Sequence, residues 1–243
     1  MVNLISAACF SYPKNFEKQN EDSILPPLEL NGGYLFAIAD GVGSYAGAKQ
    51  ASQSVINYLR NLKYFDKNFD ELFLKLKEIV GDLSNEDMSL SKAATTLTVC
   101  YLDNNGLYIG HIGDSRAYLK KDGKFIQLTK DDTQHQKLLD EKIYTKKELK
   151  GLSGKNVLTT AISKNIDLHV QNYFLSSSEL EDKNNIIVSL MTDGCHSYWE
   201  KRPKLSDKTM NSPASFSNSL QKRIERLEPI DDYSLVICKL NIK

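Results

Sequence analysis

Five short acidic stretches are spread through this chain of 243 residues. They are Asn20-Glu21-Asp22-Ser23, Ala39-Asp40-Gly41, Gly113-Asp114-Ser115-Arg116, Thr192-Asp193-Gly194 and Asp231-Asp232-Tyr233-Ser234. Most border a run that reads as β-strand, and carboxylates at the ends of distant strands are what a fold needs to assemble a site for hard cations. Mg²⁺ and Mn²⁺ take oxygen ligands and keep several waters. Two unit charges about 4 Å apart repel by roughly 4 kcal/mol at an effective dielectric of about 20, so such a cluster needs cations or protons to exist. Two ions roughly 3.5–4 Å apart can hold a nucleophilic oxygen and a phosphoryl oxygen together. A lone Asp-Gly is most often only a turn; it is the joint occurrence of these stretches that points to metal.

The elements that must position them follow from periodicity. The N-terminal run around Leu4–Phe10 reads as a first strand, and Tyr34–Ala39 as a strand closed by the turn at Asp40-Gly41. Residues 46–62 have helical spacing, with Ala51, Val55 and Leu59 in register. A second helix is predicted over 68–80, with Phe69, Leu72, Phe73, Leu76 and Ile79 on one face and Gly81 as its stop. From Ala94 the period changes. Strands over 94–102, 107–112, 116–119 and 125–128 are separated by Asn105-Gly106 and Asp122-Gly123 turn signals, which means hairpins and an antiparallel sheet. Residues 130–165 are polar and lysine-rich, with a short helix expected over 142–152. Strands follow at 168–174 and 185–191. Ser212-Pro213 opens a last helix whose buried stripe is Phe216, Leu220, Ile224 and Leu227, and 233–240 closes the chain as a strand.

Composition narrows the class. With 41% hydrophobic residues the chain can bury a sizeable core. Its 31 basic and 31 acidic residues balance, so nothing marks a nucleic-acid or membrane partner. Cys9, Cys100, Cys195 and Cys238 form no Cys-x-x-Cys pair and read as buried free thiols of a reducing compartment. The N-terminus has no basic leader and no apolar run reaches spanning length, so a cytoplasmic protein is expected.

Taken in order, the stretches resemble the metal-dependent protein phosphatase family (PPM, type 2C-like) in its compact bacterial form. The resemblance also takes in Val42-Gly43 with Gly47 and Ala51-Ser52, Ala94-Thr95-Thr96-Leu97, Ala117-Tyr118, Leu128-Thr129 with Asp131-Asp132-Thr133, and Leu190-Met191. It implies an α+β fold, a four-layer α-β-β-α sandwich of two antiparallel sheets flanked by helices, as one domain over residues 1–243 with a variable flap at about 130–165. It implies that Asp40 bridges two Mg²⁺ or Mn²⁺ ions, that Asp193 and Asp231 complete the first ion's ligands, and that Glu21 and the Gly41 carbonyl serve the second, partly through water. Asp22 would support the site from behind, and Asp114 with Asp193 would hold a third ion, as in bacterial members. Asp40, Asp193 and Asp231 are then the catalytic residues. The implied reaction is hydrolysis of phosphoserine or phosphothreonine in protein substrates by in-line attack of a metal-bridging hydroxide, without a covalent intermediate. A monomeric signalling enzyme opposed by a cognate Ser/Thr kinase is the corresponding expectation.

Two positions depart from the family. Many members carry a phosphate-gripping arginine where this chain has Glu17, leaving Lys14 and Lys18 as the nearby cations. A lysine binds phosphate as a point charge, without the bidentate fork of arginine. Some members have a histidine after the Asp-Gly, where this chain has Val42 and Gly43. Glu17 motivates an alternative, a catalytically impaired PPM-fold regulatory or phosphoprotein-binding module. Gly41-x-Gly43-x-x-Ala46 before a helix also resembles a dinucleotide-binding turn, which Asp40 and the hairpins oppose. Cys195 is read as structural, and His196 as a histidine satisfied by backbone, with reach to the site as its other reading.

Overall fold

Strands that are apolar at consecutive positions need cover on both faces, and the chain provides it with two sheets stacked between two helical layers. The computed structural model describes residues 1–43, 46–180, 182 and 184–243. In chain order the elements are β1 (Val2–Tyr12), β2 (Ser23–Leu30), β3 (Gly33–Ala39), α1 (Ala48–Arg60), α2 (Phe69–Glu86), β4 (Ala94–Thr95), β5 (Leu97–Leu102), β6 (Gly106–Ile112), β7 (Arg116–Lys121), β8 (Lys124–Gln127), α3 (Gln134–Asp140), β9 (Ile162–Ser163), β10 (Gln171–Ser176), β11 (Ile186–Met191), α4 (Asp193–Lys201), α5 (Asp207–Met210), α6 (Pro213–Arg226) and β12 (Tyr233–Ile242). One sheet has the order β1-β12-β11-β7-β8, the other β10-β6-β5-β3-β2, and β4 pairs with β9 in a small separate ladder. Every pairing is antiparallel. This is the α+β sandwich expected from sequence, and it overturns the dinucleotide-binding reading, which requires parallel βαβ units.

Side-chain alternation explains the layers. On β3, Leu35, Ala37 and Ala39 pack against α1 and α2 with Val55, Leu59, Phe73 and Leu76. The intervening Phe36 and Ile38 face the other sheet and meet Val188, Leu190, Val236 and Cys238. The far face of that second sheet, through Ile187, Leu235 and Ile237, packs on Trp199 of α4 and on Phe216, Leu220 and Ile224 of α6. The continuous hydrophobic runs are therefore period-two strands buried twice over.

Several local expectations are corrected. The second helix does not stop at Gly81 but runs to Glu86. The segment around β9 lies against it, with Lys164 Nζ donating to Ser84 Oγ at 2.8 Å, which outweighs the roughly 1 kcal/mol that a mid-helix glycine costs. Residues 142–152 hold no helix. Thr145 and Glu148 form a reciprocal cap, yet Leu149 is the only buried side chain there, so nothing apolar propagates the turn. The helix of this region is α3, started by the Thr133 hydroxyl accepting the Gln136 N–H at 3.3 Å. Leu227 is 56% exposed because it caps the end of α6 and has left the buried stripe. Cys9 is exposed while the other three thiols are buried, and all four are free. A bulge between Leu4 and Ser6 moves Ala8 and Phe10 to the helix-facing side of β1 and leaves Cys9 on its opposite, uncovered side. Among the described residues no helix is long and apolar enough to cross a membrane.

Candidate metal centre

The acidic stretches meet at one end of the sandwich. Glu21, Asp40, Gly41, Asp114, Asp193 and Asp231 all line one cavity of about 720 Å³, together with Lys14, Lys18, Thr96, Asn156 and Asp232. Asp22 sits behind it and is buried. Each is placed by a local device.

Asp40 follows β3 directly and is held by its backbone. Its N–H donates to Thr96 Oγ1 at 3.1 Å, and its carbonyl accepts the Thr95 hydroxyl at 2.9 Å and the Thr96 N–H at 2.8 Å. The break between β4 and β5 that the sequence did not show lies at this clamp. Glu21 and Asp22 are secured by α1, where Ser52 Oγ donates to the Glu21 carbonyl at 2.5 Å and Lys49 Nζ to the Asp22 carbonyl at 2.8 Å. Asp114 follows Gly113, whose φ of +112° and near contact with Thr96 exclude a side chain. The Gly113 N–H donates to Asp132 Oδ2 at 2.9 Å while its carbonyl accepts the Asp132 N–H at 2.7 Å. Asp193 opens α4, and a Cβ on Gly194 would lie 2.0 Å from the Asp232 carbonyl. Only glycine lets the start of that helix approach the 231–232 turn this closely.

The electrostatics are those of a site built for cations. Burial, followed by the charges of Asp22, Asp193, Asp114 and Asp231, raises the Asp40 carboxyl well above the usual range. Burial and Asp193 push Asp114 up to about 8. Burial and Asp231 push Asp193 up to about 6, against the lowering effect of the Gly194 N–H and of Lys155. Burial also lifts Glu21, with Asp232 and Asp231 adding to it. Asp22 accepts the Thr192 hydroxyl at 3.0 Å and the Ser234 hydroxyl at 2.6 Å on Oδ2. Its Oδ1 is buried with no partner, and burial takes the group to about 8. The hydrogen bonds of Asp40 among the described residues run through its backbone, which leaves its carboxylate open toward the cavity.

Among the described residues no three His, Cys, Asp or Glu side chains are arranged to hold an ion by themselves. The donor set nevertheless fits Mg²⁺ or Mn²⁺, which take one or two carboxylates and fill the remaining positions with water. An orphaned carboxylate oxygen and mutually raised carboxyls are the marks of a site that a cation would relieve.

Sequence reasoning missed two groups. Asp232, beside Asp231, accepts the Lys14 N–H and the Glu21 N–H on its two oxygens; the doubled aspartate was its only signal. Arg116 donates to both oxygens of Asp131 at 2.7 and 2.6 Å and also to Glu200, tying the start of the 130–165 segment to α4. His196 is buried and its Nε2 lies 3.1 Å from the Asp114 carbonyl, so it supports the loop from behind and does not line the cavity. Cys195 is buried in the helix-facing core. Glu17 is exposed and outside the cavity lining, whereas Lys14 and Lys18 are part of it.

The family model for protein phosphatase 2C matches residues 17–236. Serine/threonine protein phosphatase PstP of Mycobacterium tuberculosis is 36% identical over 151 residues, which is 59% of this chain and 28% of that protein. A putative protein phosphatase of Mycoplasma genitalium is 26% identical over 203 residues, 76% of this chain and 75% of the relative. The chain thus spans little more than a quarter of PstP and three quarters of the mycoplasma protein. The crystal structure of the M. tuberculosis phosphatase PstP superposes with a TM-score of 0.80 at 25% identity, covering 98% of this chain and 100% of that one. The catalytic domain of PstP in complex with two manganese ions superposes with a TM-score of 0.76 at 25% identity, covering 99% and 100%.

Proposed function

The chain belongs to the protein phosphatase 2C family, and on that premise we propose that it is a divalent-metal-dependent serine/threonine protein phosphatase, acting as a cytoplasmic monomer on phosphoproteins that a cognate Ser/Thr kinase produces. The observation that carries this reading is the convergence of Glu21, Asp40, Asp114, Asp193 and Asp231 on one open cavity. Asp40 would be shared by two Mg²⁺ or Mn²⁺ ions. Asp193 and Asp231 would complete the protein ligands of one, Glu21 and the Gly41 carbonyl those of the other, and Asp114 with Asp193 would offer a third position. When bound, the ions supply an activated water and neutralise charge on the phosphoryl oxygens.

The chain's own residues orient and hold. Thr95 and Thr96 fix the backbone of Asp40. Asp22 ties Thr192 and Ser234, the neighbours of Asp193 and the 231–232 turn, to the loop that bears Glu21. Lys14 and Lys18 sit at the cavity wall, where their positive charge attracts the phosphate of an incoming phosphoserine. No Ser, Thr or Cys nucleophile is required, in keeping with the burial of Cys195.

The test is hydrolysis of a phosphoserine peptide with and without Mn²⁺, for the natural protein and for Asp40→Asn and Asp193→Asn. Mn²⁺-dependent turnover that falls at least about 100-fold in both variants is expected. Equal rates in all three proteins would sink the mechanism. Peptide binding without hydrolysis at any Mn²⁺ concentration would instead identify a phosphoprotein-binding module.

A further inference from the structure

A second cavity, of about 790 Å³, opens where α4 ends and α6 passes beside it. Its rim carries six cations, Lys201, Arg202, Lys204, Lys222, Arg223 and Arg226, and no carboxylate is among the residues that line it. In a chain whose formal net charge is zero, this is a strong local imbalance. None of the six is in an ion pair among the described residues. Arg223 is held in place by the carbonyls of Arg202 and Lys204, at 2.7 and 3.4 Å, and its guanidinium lies 5.8 Å from the Trp199 ring. Burial and the neighbouring Arg202 lower its pKa, the mark of a positive charge without a counterion. Lys201 lies 4.4 Å over the Tyr198 ring.

The floor differs from the rim. Leu205 and Leu227 contribute apolar surface, and Leu227 is 56% exposed. Six unpaired cations around an apolar floor complement an acidic chain that also brings an apolar side chain. A nucleic acid fits less well, because the aromatic rings here, Tyr198 and Trp199, are each 1% exposed and offer no face on which a base could stack. Lys201 lies eight residues beyond Asp193 on the same helix, about 12 Å along its axis, so the groove is separate from the metal centre.

We propose that the groove between α4 and α6 is a docking site for an acidic peptide segment of a partner protein, with glutamate or aspartate side chains on the cationic rim and an apolar residue seated against Leu205 and Leu227. The rim supplies attraction and orientation that weaken with salt, and the floor supplies the contact that persists. This assignment is independent of the proposed catalytic activity.

The probe is a fluorescein-labelled peptide of glutamate pairs alternating with leucine, titrated with the intact chain and followed by fluorescence anisotropy. Saturable binding is expected at low salt. Lys222→Glu/Arg226→Glu, at two exposed side chains, should weaken it by at least about tenfold. Arg60→Glu/Lys63→Glu makes the same change of charge on α1 and just beyond it, and should leave binding intact. Replacing the leucines of the peptide with serine tests the floor without altering the protein and should also weaken binding. Four outcomes overturn the proposal: no binding of the acidic peptide at low salt, equal loss in both double variants, undiminished binding of the serine peptide, or tighter binding of a single-stranded oligonucleotide of equal charge.

Discussion

The backbone N–H of Glu21 donates to Oδ2 of Asp232 at 2.6 Å across 211 residues of sequence. The Lys14 N–H takes the other oxygen at 2.7 Å. One carboxylate therefore clamps the whole 14–21 loop to the turn that carries Asp231. Asp232→Ala should cost on the order of 1 kcal/mol of stability and weaken Mn²⁺ binding about tenfold, as loss of a ligand-orienting contact generally does. Asp232→Asn keeps one acceptor oxygen and should fall between. Calorimetric Mn²⁺ titration with thermal unfolding under chelation checks both, and an unchanged Mn²⁺ affinity in Asp232→Ala would show that the clamp does not serve the metal.

The raised carboxyls give the chelated protein a defined pH dependence. Asp22 and Asp114 titrate at about 8, Asp193 and Asp132 at about 6, all above the unfolded value of about 4. A carboxyl whose folded pKa is raised stabilises the fold while protonated and loses that contribution as pH rises through the folded value. His111 and His196 are buried, which lowers each to about 4. Their contribution is present above about 6.5 and lost as pH falls toward 4, so the range above about 6.5 belongs to the carboxyls. Scanning fluorimetry in chelator should therefore show Tm falling between about pH 6.5 and 8.5. Mn²⁺ should raise Tm more at pH 8.5 than at pH 6.5, since it binds the ionised form. A chelated Tm that is flat or rising over that range would contradict the like-charge account.

Arg116 and Asp131 form a two-bonded pair, each 14% exposed. Arg116→Ala strands a largely buried carboxylate and should cost about 3 kcal/mol. Asp131→Ala should cost a similar amount. The double variant should lose clearly less than the sum of the two, the signature of direct coupling. Arg116→Lys loses the planar fork and should recover only part of the difference. Urea unfolding of the four proteins measures the cycle, and simple additivity would mean that β7 and the segment after β8 are not joined through this pair.

How much of this was legible beforehand depended on the range of the interaction concerned. The buried strands declared themselves, because Tyr34–Ala39 is apolar throughout and Ile186–Met191 is apolar at every position but Ser189, and the order of the acidic stretches pointed to their common site. β2 stayed hidden because Pro26-Pro27 interrupts it; the structure places it at a sheet edge with its register shifted between Leu25 and Leu28, where proline is tolerated. The capping pair Thr145–Glu148 could not disclose that no core lies beneath it. Contacts over long sequence separations, such as Thr192 and Ser234 on Asp22 or Asp232 on Glu21, leave no periodic trace, and only their chemistry, paired hydroxyls and doubled aspartates, hints at them.

Phosphate capture is the property most open to test at single residues. Glu17, where the resemblance implies an arginine, is exposed and does not line the cavity. Lys14 and Lys18 do line it, and their side chains are exposed. An exposed lysine offers about 1 kcal/mol of screened attraction to a phosphate, so Lys18→Ala should raise KM for a phosphopeptide about fivefold and change kcat little. The effect should shrink as salt rises. Glu17→Arg removes one repulsive charge and adds a planar donor on the same loop, so it should lower KM. Steady-state kinetics at two salt concentrations separate the cases. A KM unmoved by Lys18→Ala would remove that lysine from the phosphate site, and a KM unchanged or raised by Glu17→Arg would mean that this loop position turns away from the substrate.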